Sequence, residues 1–451
     1  MLRISKFALL VSIVIVGGSH TVRGAVLKAG VSKVDITPPL GLEMWGYERT
    51  SPSIGTLDPL YARVLVLECG EKRLAIVALD YGRTFGPPLL QHLRESTKKS
   101  SGISYLIVAA SHTHSGPAIL DEYPSNSPPA WEMTALEKVA KAIEAAHQSA
   151  SEARLGTGYG VCYIAHNRHH VNPDGTVTIV WRNPSHAMTA PLDPTVSVLR
   201  VDTTGGKPLA ILVNYSCHPA IYDNDNLRYS ADFPGVMTAT IERAFDGQPL
   251  AFFLQGAPGD VDPDFDGTPL DQGAAKMCAW TGQQLGVEAT RVAKTLQTSS
   301  VSDPDIAVSE DVLTFHLRWG LEKFRQGLQE LAPHFAATWE PQVRETWQLP
   351  VSTVLINKQI ALTTMPGEPF VEFQNSWRDR CPVHDTFFLG YANGYYGYFP
   401  TIRAAAEGGY GGGNSTTWVE VGAGEQMLNH AIIRVYEMLG RLTDTPEELK
   451  K

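Results

Sequence analysis

The sequence has few cysteines, and none of them lies in the closely spaced pairs that bind structural zinc. There are five in a chain of 451 residues: Cys69, Cys162, Cys217, Cys278 and Cys381. A cysteine metal site is therefore not expected, and a chain of this length does not need a disulfide framework. One or two disulfide bridges remain compatible with an oxidising compartment, but the sequence does not pair them.

Long apolar runs are also missing once the N-terminal segment has passed. No later segment approaches the roughly 18 continuous apolar residues that a membrane-spanning helix needs. At the N-terminus, Arg3 and Lys6 precede an apolar run over 7–16, and small residues follow up to Gly24. This pattern predicts a secretory signal peptide at 1–24, with an uncleaved anchor as the alternative. We expect an exported protein, periplasmic or extracellular, whose mature domain is 25–451 and has no transmembrane segment.

Runs of basic residues are absent as well. The formal net charge is −10, and the lysines and arginines are scattered. Nucleic acid is therefore not an expected partner, and neither is an anionic lipid surface. The hydrophobic fraction of 43% and the charged fraction of 19% are those of a globular protein with a large core.

What the sequence does contain is an alternation of strand-like and helix-like segments without an internal repeat or a linker. It predicts an α/β fold, a large single domain of mixed β-sheets flanked by helices. The predicted strands are 30–36, 60–68, 73–79, 105–110, 176–182, 195–202, 208–216, 250–255, 305–318, 352–364 and 386–392. The predicted helices are 87–97, 131–150, 235–245, 272–297, 320–334, 368–377 and 424–442.

Two histidines directly follow the apolar strand at 105–110. His112 and His114 are two residues apart, and on extended backbone they would project to the same side. The carboxyl ends of strands in open α/β sheets are common ligand sites. An isolated His-x-His is, however, at least as often a pair of hydrogen-bonded surface histidines.

Three further strand ends carry candidate ligands. His218 follows the apolar run 209–213, Glu368 lies between a strand and a helix, and tyrosines alternate with glycines over 390–398. Each has an ordinary interpretation: a packing histidine, a first-turn acid favoured by the helix dipole, and aromatic packing. Together they suggest a metal centre assembled from several elements.

Several motifs are shared, in order and in approximate spacing over about 28–440, with one known family. They are Gly30-x-x-x-x-Asp35-Ile-Thr-Pro38, Gly46-Tyr47, His112-Thr-His-Ser-Gly-Pro117, Asn167-Arg168, His218, Gly259-Asp260-Val261, Pro366-Gly367-Glu368 and Gly390-Tyr-Ala-Asn-x-Tyr395-x-x-Tyr398. The set resembles the neutral/alkaline (non-lysosomal) ceramidase family. The resemblance implies a zinc amidohydrolase acting on an N-acyl substrate, such as a lipid, through metal-activated water.

The same resemblance implies the roles of individual residues. The zinc ligands would be His112, His218, Glu368 and Tyr398. His114 and Arg168 would hold or polarise the scissile carbonyl, and Tyr410, twelve residues after Tyr398, would face the substrate.

One position departs from the family pattern. The family has serine in Gly-Asp-(Val/Ile)-Ser-Pro-Asn, and that serine has been given a catalytic role, whereas this chain has Asp262. A carboxylate cannot act as an alkoxide nucleophile. Asp262 could instead be a general base towards water, or bind a polar or cationic part of the substrate, or tune the charge of the site.

This departure, and the lack of the C-terminal β-sandwich domain that family members typically carry, leave two other functions open. One is hydrolysis of an ester, lactone or glycan-linked group, since fold and metal do not fix the substrate. The other is a binding protein that has lost turnover. A calcium loop at 262–267, where aspartates alternate before a glycine, is not expected because the twelfth position is Gly273 rather than glutamate.

Overall fold

Two β-sheets packed face to face form the centre of the molecule. The computed structural model describes residues 25–123, 125, 127–331, 343–443 and 445–449, so the predicted signal peptide lies outside the described residues. The larger sheet has eight strands, in spatial order β13 (Leu250–Gln255), β11 (Pro208–Tyr215), β10 (Thr195–Thr203), β6 (Ser151–Val161), β1 (Leu27–Asp35), β3 (Tyr61–Cys69), β4 (Lys72–Leu79) and β5 (Tyr105–Ala110). The smaller sheet has the order β15 (Ile306–His316), β16 (Thr346–Ile356), β17 (Ile360–Thr364) and β19 (Asp385–Leu389).

Short two-stranded pairs and helices surround these sheets. The pairs are β2 (Gly55–Thr56) with β12 (Arg228–Tyr229), β7 (Ala165–Asn167) with β14 (Val261–Pro263), β8 (His169–Val171) with β9 (Val177–Ile179), and β18 (Glu368–Pro369) with β20 (Tyr398–Phe399). The α-helices among the described residues are α1 (Pro87–Ser101), α2 (Ala130–Gln148), α3 (Asp232–Ala244), α4 (Ala274–Thr295), α5 (Leu321–Leu331), α6 (Val371–Arg380), α7 (Ile402–Glu407) and α8 (Ala423–Met438). None of the helices within these described ranges is long and apolar enough to cross a bilayer.

Three strand pairs within the two large sheets are parallel, and each is joined through a helix. These are β4–β5 through α1, β11–β13 through α3, and β17–β19 through α6. Parallel strands need such crossovers, and the carboxyl ends of the two strands in a pair then lie at the same edge. The loops after β5, β11 and β13 meet, because the side-chain amide of Gln255, at the end of β13, donates to the backbone oxygens of Ser111 (2.9 Å) and Cys217 (2.8 Å).

The core between the two sheets is apolar and almost completely buried. It contains Leu65, Ile76, Ile107, Leu212 and Phe252 from the larger sheet, and Val354, Leu362 and Phe387 from the smaller one. Burial of this surface stabilises the fold by about 25 cal/mol per Å². The two-sheet arrangement confirms the predicted α/β class with mixed sheets in one large domain.

Asn214 joins the two sheets at the strand ends. Its side-chain amide donates to the backbone oxygens of Leu254 (2.9 Å) and Phe388 (2.8 Å), and its oxygen accepts from the Phe388 N–H (3.1 Å). The side chain is buried. These three hydrogen bonds are all to backbone groups, so the Asn214 side chain fixes the separation of the sheets where the site loops emerge.

One strand prediction was wrong, and one strand was missed. The segment 352–364 is not one strand, because Asn357 and Lys358 have φ values of 54° and 57° and form the hairpin turn between β16 and β17. The strand β6 was not predicted, because glycines at 156, 158 and 160 weaken its strand pattern. At Gly158 a Cβ would lie 2.5 Å from Leu296, so this glycine permits the close approach of the chain that follows α4.

The helix predicted at 368–377 begins three residues later than expected. Glu368 and Pro369 first pair with Tyr398 and Phe399 as the parallel strands β18 and β20. The carboxylate is thus attached to a strand rather than to a helix end. The five cysteines are all free thiols.

Candidate metal centre

His112 lies in the first turn after β5. Its Nδ1 is 2.6 Å from the backbone oxygen of Gly82 and donates to it, because a carbonyl can only accept. The lone pair of the neutral ring is therefore on Nε2. Burial lowers the pKa of His112 to about 4, against the opposing effect of Glu368, so the ring is neutral at pH 7.

His218 is held in the same manner at the end of β11. Its Nδ1 is 3.1 Å from the backbone oxygen of Val261 and 3.4 Å from Asp262 Oδ1. Its Nε2 is 3.1 Å from Glu368 Oε2. Metal-binding histidines almost always donate their other N–H to a carbonyl or carboxylate, which fixes the ring.

Glu368 completes a triangle with these two nitrogens. Its Oε2 is 3.6 Å from His112 Nε2 and 3.1 Å from His218 Nε2. Burial opposes ionisation of this carboxyl, but His112, His218 and the Tyr395 hydroxyl outweigh it and hold the pKa of Glu368 well below its usual range. The group is therefore anionic and faces the Nε2 atoms of the two histidines.

These distances match those of a tetrahedral zinc site. Ligand bonds of 2.0–2.2 Å place neighbouring ligand atoms about 3.4 Å apart. Two imidazole nitrogens and one carboxylate oxygen are also donors that zinc accepts in catalytic sites. His112, His218 and Glu368 thus fit the metal, and they leave a fourth direction towards the cavity.

His114 lies beside this triangle but is held differently. Its Nε2 is 3.2 Å from His112 Nε2, and the three histidines can each bring a nitrogen within 4.8 Å of the others. Its Nδ1 has no hydrogen-bond partner among the described residues, unlike Nδ1 of His112 and His218. Burial and the neighbouring imidazoles lower the pKa of His114 well below its usual value. Its ring packs edge-on against Tyr47, at 4.7 Å between centroids.

The prediction that His112 and His114 lie on extended backbone was wrong. The backbone at His112 is not extended but left-handed, with φ 69°. This conformation is uncommon outside glycine and costs of order 1–3 kcal/mol. The turn, rather than strand alternation, brings the two rings together.

Arg168 and Asp262 form a buried ion pair behind His218. Arg168 Nη1 donates to Asp262 Oδ1 at 2.9 Å, and its Nη2 donates to Gly259 O (2.7 Å) and to the Tyr398 hydroxyl (3.2 Å). Asp262 Oδ2 has no hydrogen-bond partner in the described part of the chain. Because Asp262 approaches His218 from its Nδ1 side, it lies on the side away from Glu368.

Aromatic rings surround the guanidinium of Arg168. Its central carbon is 5.1 Å from the ring centroid of Tyr410, 5.6 Å from that of Tyr398 and 5.2 Å from that of Trp181. These contacts and the ion pair leave little freedom to the side chain. The predicted residues Arg168, Tyr398 and Tyr410 are thus in one cluster.

Two tyrosines that the sequence did not single out contact the carboxylate. Tyr395 donates to Glu368 Oε1 (2.5 Å), and Tyr391 donates to Glu368 Oε2 (3.0 Å). The Tyr398 hydroxyl is instead placed at Arg168, although its backbone pairs with that of Glu368. The sequence indicated the tyrosine- and glycine-rich loop, but only packing decides which hydroxyl faces which group.

A cavity of about 400 Å³ opens onto the triangle. Its lining comprises the segment 43–52, His112 and His114, Glu368, the tyrosines at 395, 398 and 410, and apolar side chains including Leu328, Val343 and Trp418. The volume is in the range of small-molecule sites. The aspartates at 264 and 266 lie elsewhere: Asp264 accepts from Asn183 (3.0 Å) and contacts His186 (2.5 Å), as expected for a structural acid rather than a calcium loop.

Comparison with known proteins identifies the family. Residues 27–303 match a sequence model described as "Neutral/alkaline non-lysosomal ceramidase, N-terminal". Neutral ceramidase A of Dictyostelium discoideum is 27% identical over 220 residues, which cover 43% of this chain and 28% of that protein. The chain therefore matches little more than a quarter of the length of this curated relative.

Solved structures share the fold. The crystal structure of neutral ceramidase from Pseudomonas aeruginosa superposes with a TM-score of 0.73 at 20% identity, covering 93% of this chain and 76% of that one. A structure described as ceramidase complexed with C2 has the same TM-score at 19% identity, covering 95% of this chain and 78% of that one. With the sequence match over more than half of its length, the chain belongs to the neutral/alkaline non-lysosomal ceramidase family.

Proposed function

We propose that this protein is an exported, zinc-dependent hydrolase that cleaves an N-acyl amide bond, in N-acylsphingosine or a related N-acyl compound. The observation that carries the proposal is the triangle of His112 Nε2, His218 Nε2 and Glu368 Oε2, at distances that suit a tetrahedral metal. Zinc bound by these atoms supplies Lewis acidity and lowers the pKa of water to about 7. Tyr398 remains the predicted fourth protein ligand, and the strand pairing of its backbone with Glu368 supports that position.

His114 is proposed to move the proton that the reaction releases. It is neutral, it lines the cavity, and its Nε2 lies beside a ligand nitrogen. A base in this position accepts a proton from the attacking water and returns it to the leaving amine. Amide cleavage requires such a donor, because an amine leaves poorly as an anion.

Arg168 is proposed to act through the Tyr398 hydroxyl. The guanidinium donates to that oxygen and so fixes the predicted ligand beside Tyr410, whose ring centroid is 5.5 Å from that of Tyr398. Tyr410 can then donate to the oxyanion that forms from the scissile carbonyl. Such donors contribute most in a site from which water is largely excluded.

Asp262 is proposed to be the counterion of Arg168 and not a base towards water. Its Oδ1 is committed to Arg168, and it approaches His218 from the outer nitrogen. A carboxylate there raises the basicity of a metal-binding histidine. Ionic anchoring of Arg168 would replace the role of the family serine.

The mature domain is proposed to be 25–451. The ordered strand β1 begins at Leu27, directly after the predicted cleavage site. The apolar lining of the cavity, with Leu328, Val343 and Trp418, supports an acyl group as part of the substrate.

The proposal is tested with purified protein, with and without zinc, on a panel of N-acyl amides that includes short-chain ceramides, and on matched esters. We expect zinc-dependent amide cleavage and, in His112→Ala, at least about a 100-fold loss of kcat/KM. His92→Ala, which removes an exposed histidine on α1, is the matched control.

Three outcomes would contradict the proposal in different ways. Cleavage of esters alone would identify another hydrolase. Tight binding of an N-acyl compound without turnover by the zinc-loaded protein would identify a binding protein. Full activity of His112→Ala would show that the triangle is not the active site.

A further inference from the structure

Glu368 is the single anionic member of the triangle, and its two oxygens have different surroundings. Oε2 faces the two histidine nitrogens at 3.1 and 3.6 Å. Oε1 accepts a hydrogen bond of 2.5 Å from the Tyr395 hydroxyl. A carboxylate that could rotate freely would be able to offer both oxygens to a cation.

The Tyr395 ring is fixed on several sides. The edge of Trp45 meets it at 5.0 Å between centroids and an interplanar angle of 90°. The guanidinium of Arg83 lies over the ring at 5.2 Å from its centroid. The edge-to-face contact and the cation–π contact together hold the ring in one orientation.

Tyr391 supports the other oxygen. It donates to Oε2 at 3.0 Å, and its ring stacks on that of His112 with centroids 4.0 Å apart. Its backbone oxygen accepts from the N–H of Ala110, the last residue of β5. The tyrosine loop and the first histidine are thereby fixed to the same strand end.

We propose that Tyr395 is a positioning residue that restricts Glu368 to one-oxygen coordination, so that only Oε2 is presented to the metal. Tyr391 fixes the position of Oε2 relative to the His112 ring, because it donates to that oxygen and stacks on that ring. The inference rests on the proposed metal centre and adds to it two residues outside the predicted ligand set. It also explains why the buried carboxylate keeps a single orientation beside two imidazole rings, because both of its oxygens accept a tyrosine hydrogen bond.

The test compares Tyr395→Phe, Tyr391→Phe and the wild type. Tyr396→Phe is the matched control, since Tyr396 is in the same loop but packs on Trp347 (5.6 Å between ring centroids). Zinc affinity is measured by competition with a chromophoric chelator. Cobalt is then substituted and its visible absorption recorded, because the intensity falls when coordination rises above four.

We expect Tyr395→Phe to bind zinc about 10–100-fold more weakly and to lose cobalt absorption intensity as Oε1 joins the metal. Tyr391→Phe should weaken zinc binding without that spectral change, since Oε1 remains held. Tyr396→Phe should match the wild type in both measurements.

The possible failures are distinguishable. If the wild type binds zinc and Tyr395→Phe equals it in affinity and cobalt spectrum, the positioning role is overturned and the proposed function is untouched. If the wild type binds neither metal, both fall. Melting curves of the metal-free variants show whether a weaker affinity comes from a damaged fold, and a Tyr395→Phe protein that melts well below Tyr396→Phe would also overturn the role.

Discussion

At the scale of single residues, the buried pair of Asp262 and Arg168 is the most consequential charge arrangement. Both side chains are almost fully buried, and each depends on the other for neutralisation. Two charges in a low-dielectric interior are tolerated only while they remain paired. A substitution at either position should therefore affect stability as well as activity.

We predict that Asp262→Asn lowers the stability of the metal-free protein by about 3 kcal/mol, because it leaves Arg168 as an unpaired buried cation. Urea unfolding at pH 7 measures the change. Asp174→Asn is the control: Asp174 is exposed and accepts a hydrogen bond from Thr176 in a local turn, so this substitution should change the free energy of unfolding little. Equal effects of the two substitutions would show that the ion pair contributes nothing.

The sequence located candidate residues better than it located their contacts. Each of the eight predicted site residues, from His112 to Tyr410, lies in or directly behind one cavity, while their roles remain predictions. Tyr391 and Tyr395 were missed as contacts of Glu368, because tyrosines within one loop differ only in where their rings point. The left-handed backbone at His112 was missed because histidine, as a residue type, does not indicate a positive φ.

At the scale of elements, the joint between the two sheets depends on Asn214. We predict that Asn214→Ala destabilises the protein by about 3 kcal/mol, since it strands the buried N–H of Phe388 and two backbone oxygens. Asn429→Ala, at an exposed helix position where the side chain accepts from Arg380, is the matched control and should change the urea midpoint little. A small effect of Asn214→Ala would mean that apolar packing alone sets the sheet separation.

A second joint connects β15 to α8 through Asp311. Burial would raise the pKa of Asp311, but hydrogen bonds from Arg434 and Ser309, together with the nearby His430 ring (3.2 Å), outweigh it and lower the pKa to about 2. The folded state therefore binds fewer protons than the unfolded state between pH 4 and 2. The contribution of the ionised Asp311 carboxylate to the free energy of unfolding is complete above about pH 4 and is lost as the pH falls towards 2.

We predict that Asp311→Asn is less stable than the wild type at pH 7 and that the difference shrinks steadily below pH 4. Melting temperatures recorded in steps from pH 7 to pH 2.5 measure it. Glu310→Gln, which removes the surface pair with Arg94, is the control and should show a small difference at every pH. A gap between Asp311→Asn and wild type that stays constant below pH 4 would contradict the assignment.

Element prediction succeeded where the pattern was local. The helices α2 and α4 and the strand β5 follow from periodicity and from turn residues at their ends. Element prediction failed at β6, because the glycines that allow contact with the chain after α4 weaken the strand pattern. It also failed at 352–364, because an Asn-Lys turn interrupts an apolar run.

At the scale of the whole molecule, the proposed metal should stabilise the fold. We predict that zinc at about 100 times its dissociation constant adds about 2.7 kcal/mol, and that EDTA removes this increment. Differential scanning calorimetry measures the shift, with His112→Ala as the variant that should not respond. Magnesium is the control ion, because it prefers oxygen ligands. A protein whose melting temperature ignores zinc would contradict the metal centre.

The fold class and the family were predictable from sequence, but the sheet order was not. The class follows from alternating segments, whereas the order depends on contacts between distant residues, such as Asn214 with Phe388, which are 174 positions apart. No periodicity within a segment reports such a contact. The division into eight-stranded and four-stranded sheets belongs to the same category.

The position of Glu368 in the last third of the sequence has a consequence for the order of events during synthesis. Glu368 lies 150 positions after His218, its partner in the triangle. A chain growing from its N-terminus exposes both histidines long before the carboxylate and the tyrosine loop exist, and domains fold as segments become available. Metal acquired early would be held by imidazoles alone and exchanged easily. Tight retention of the proposed metal would begin only when the second sheet has docked, so a bound ion would mark a completely folded molecule.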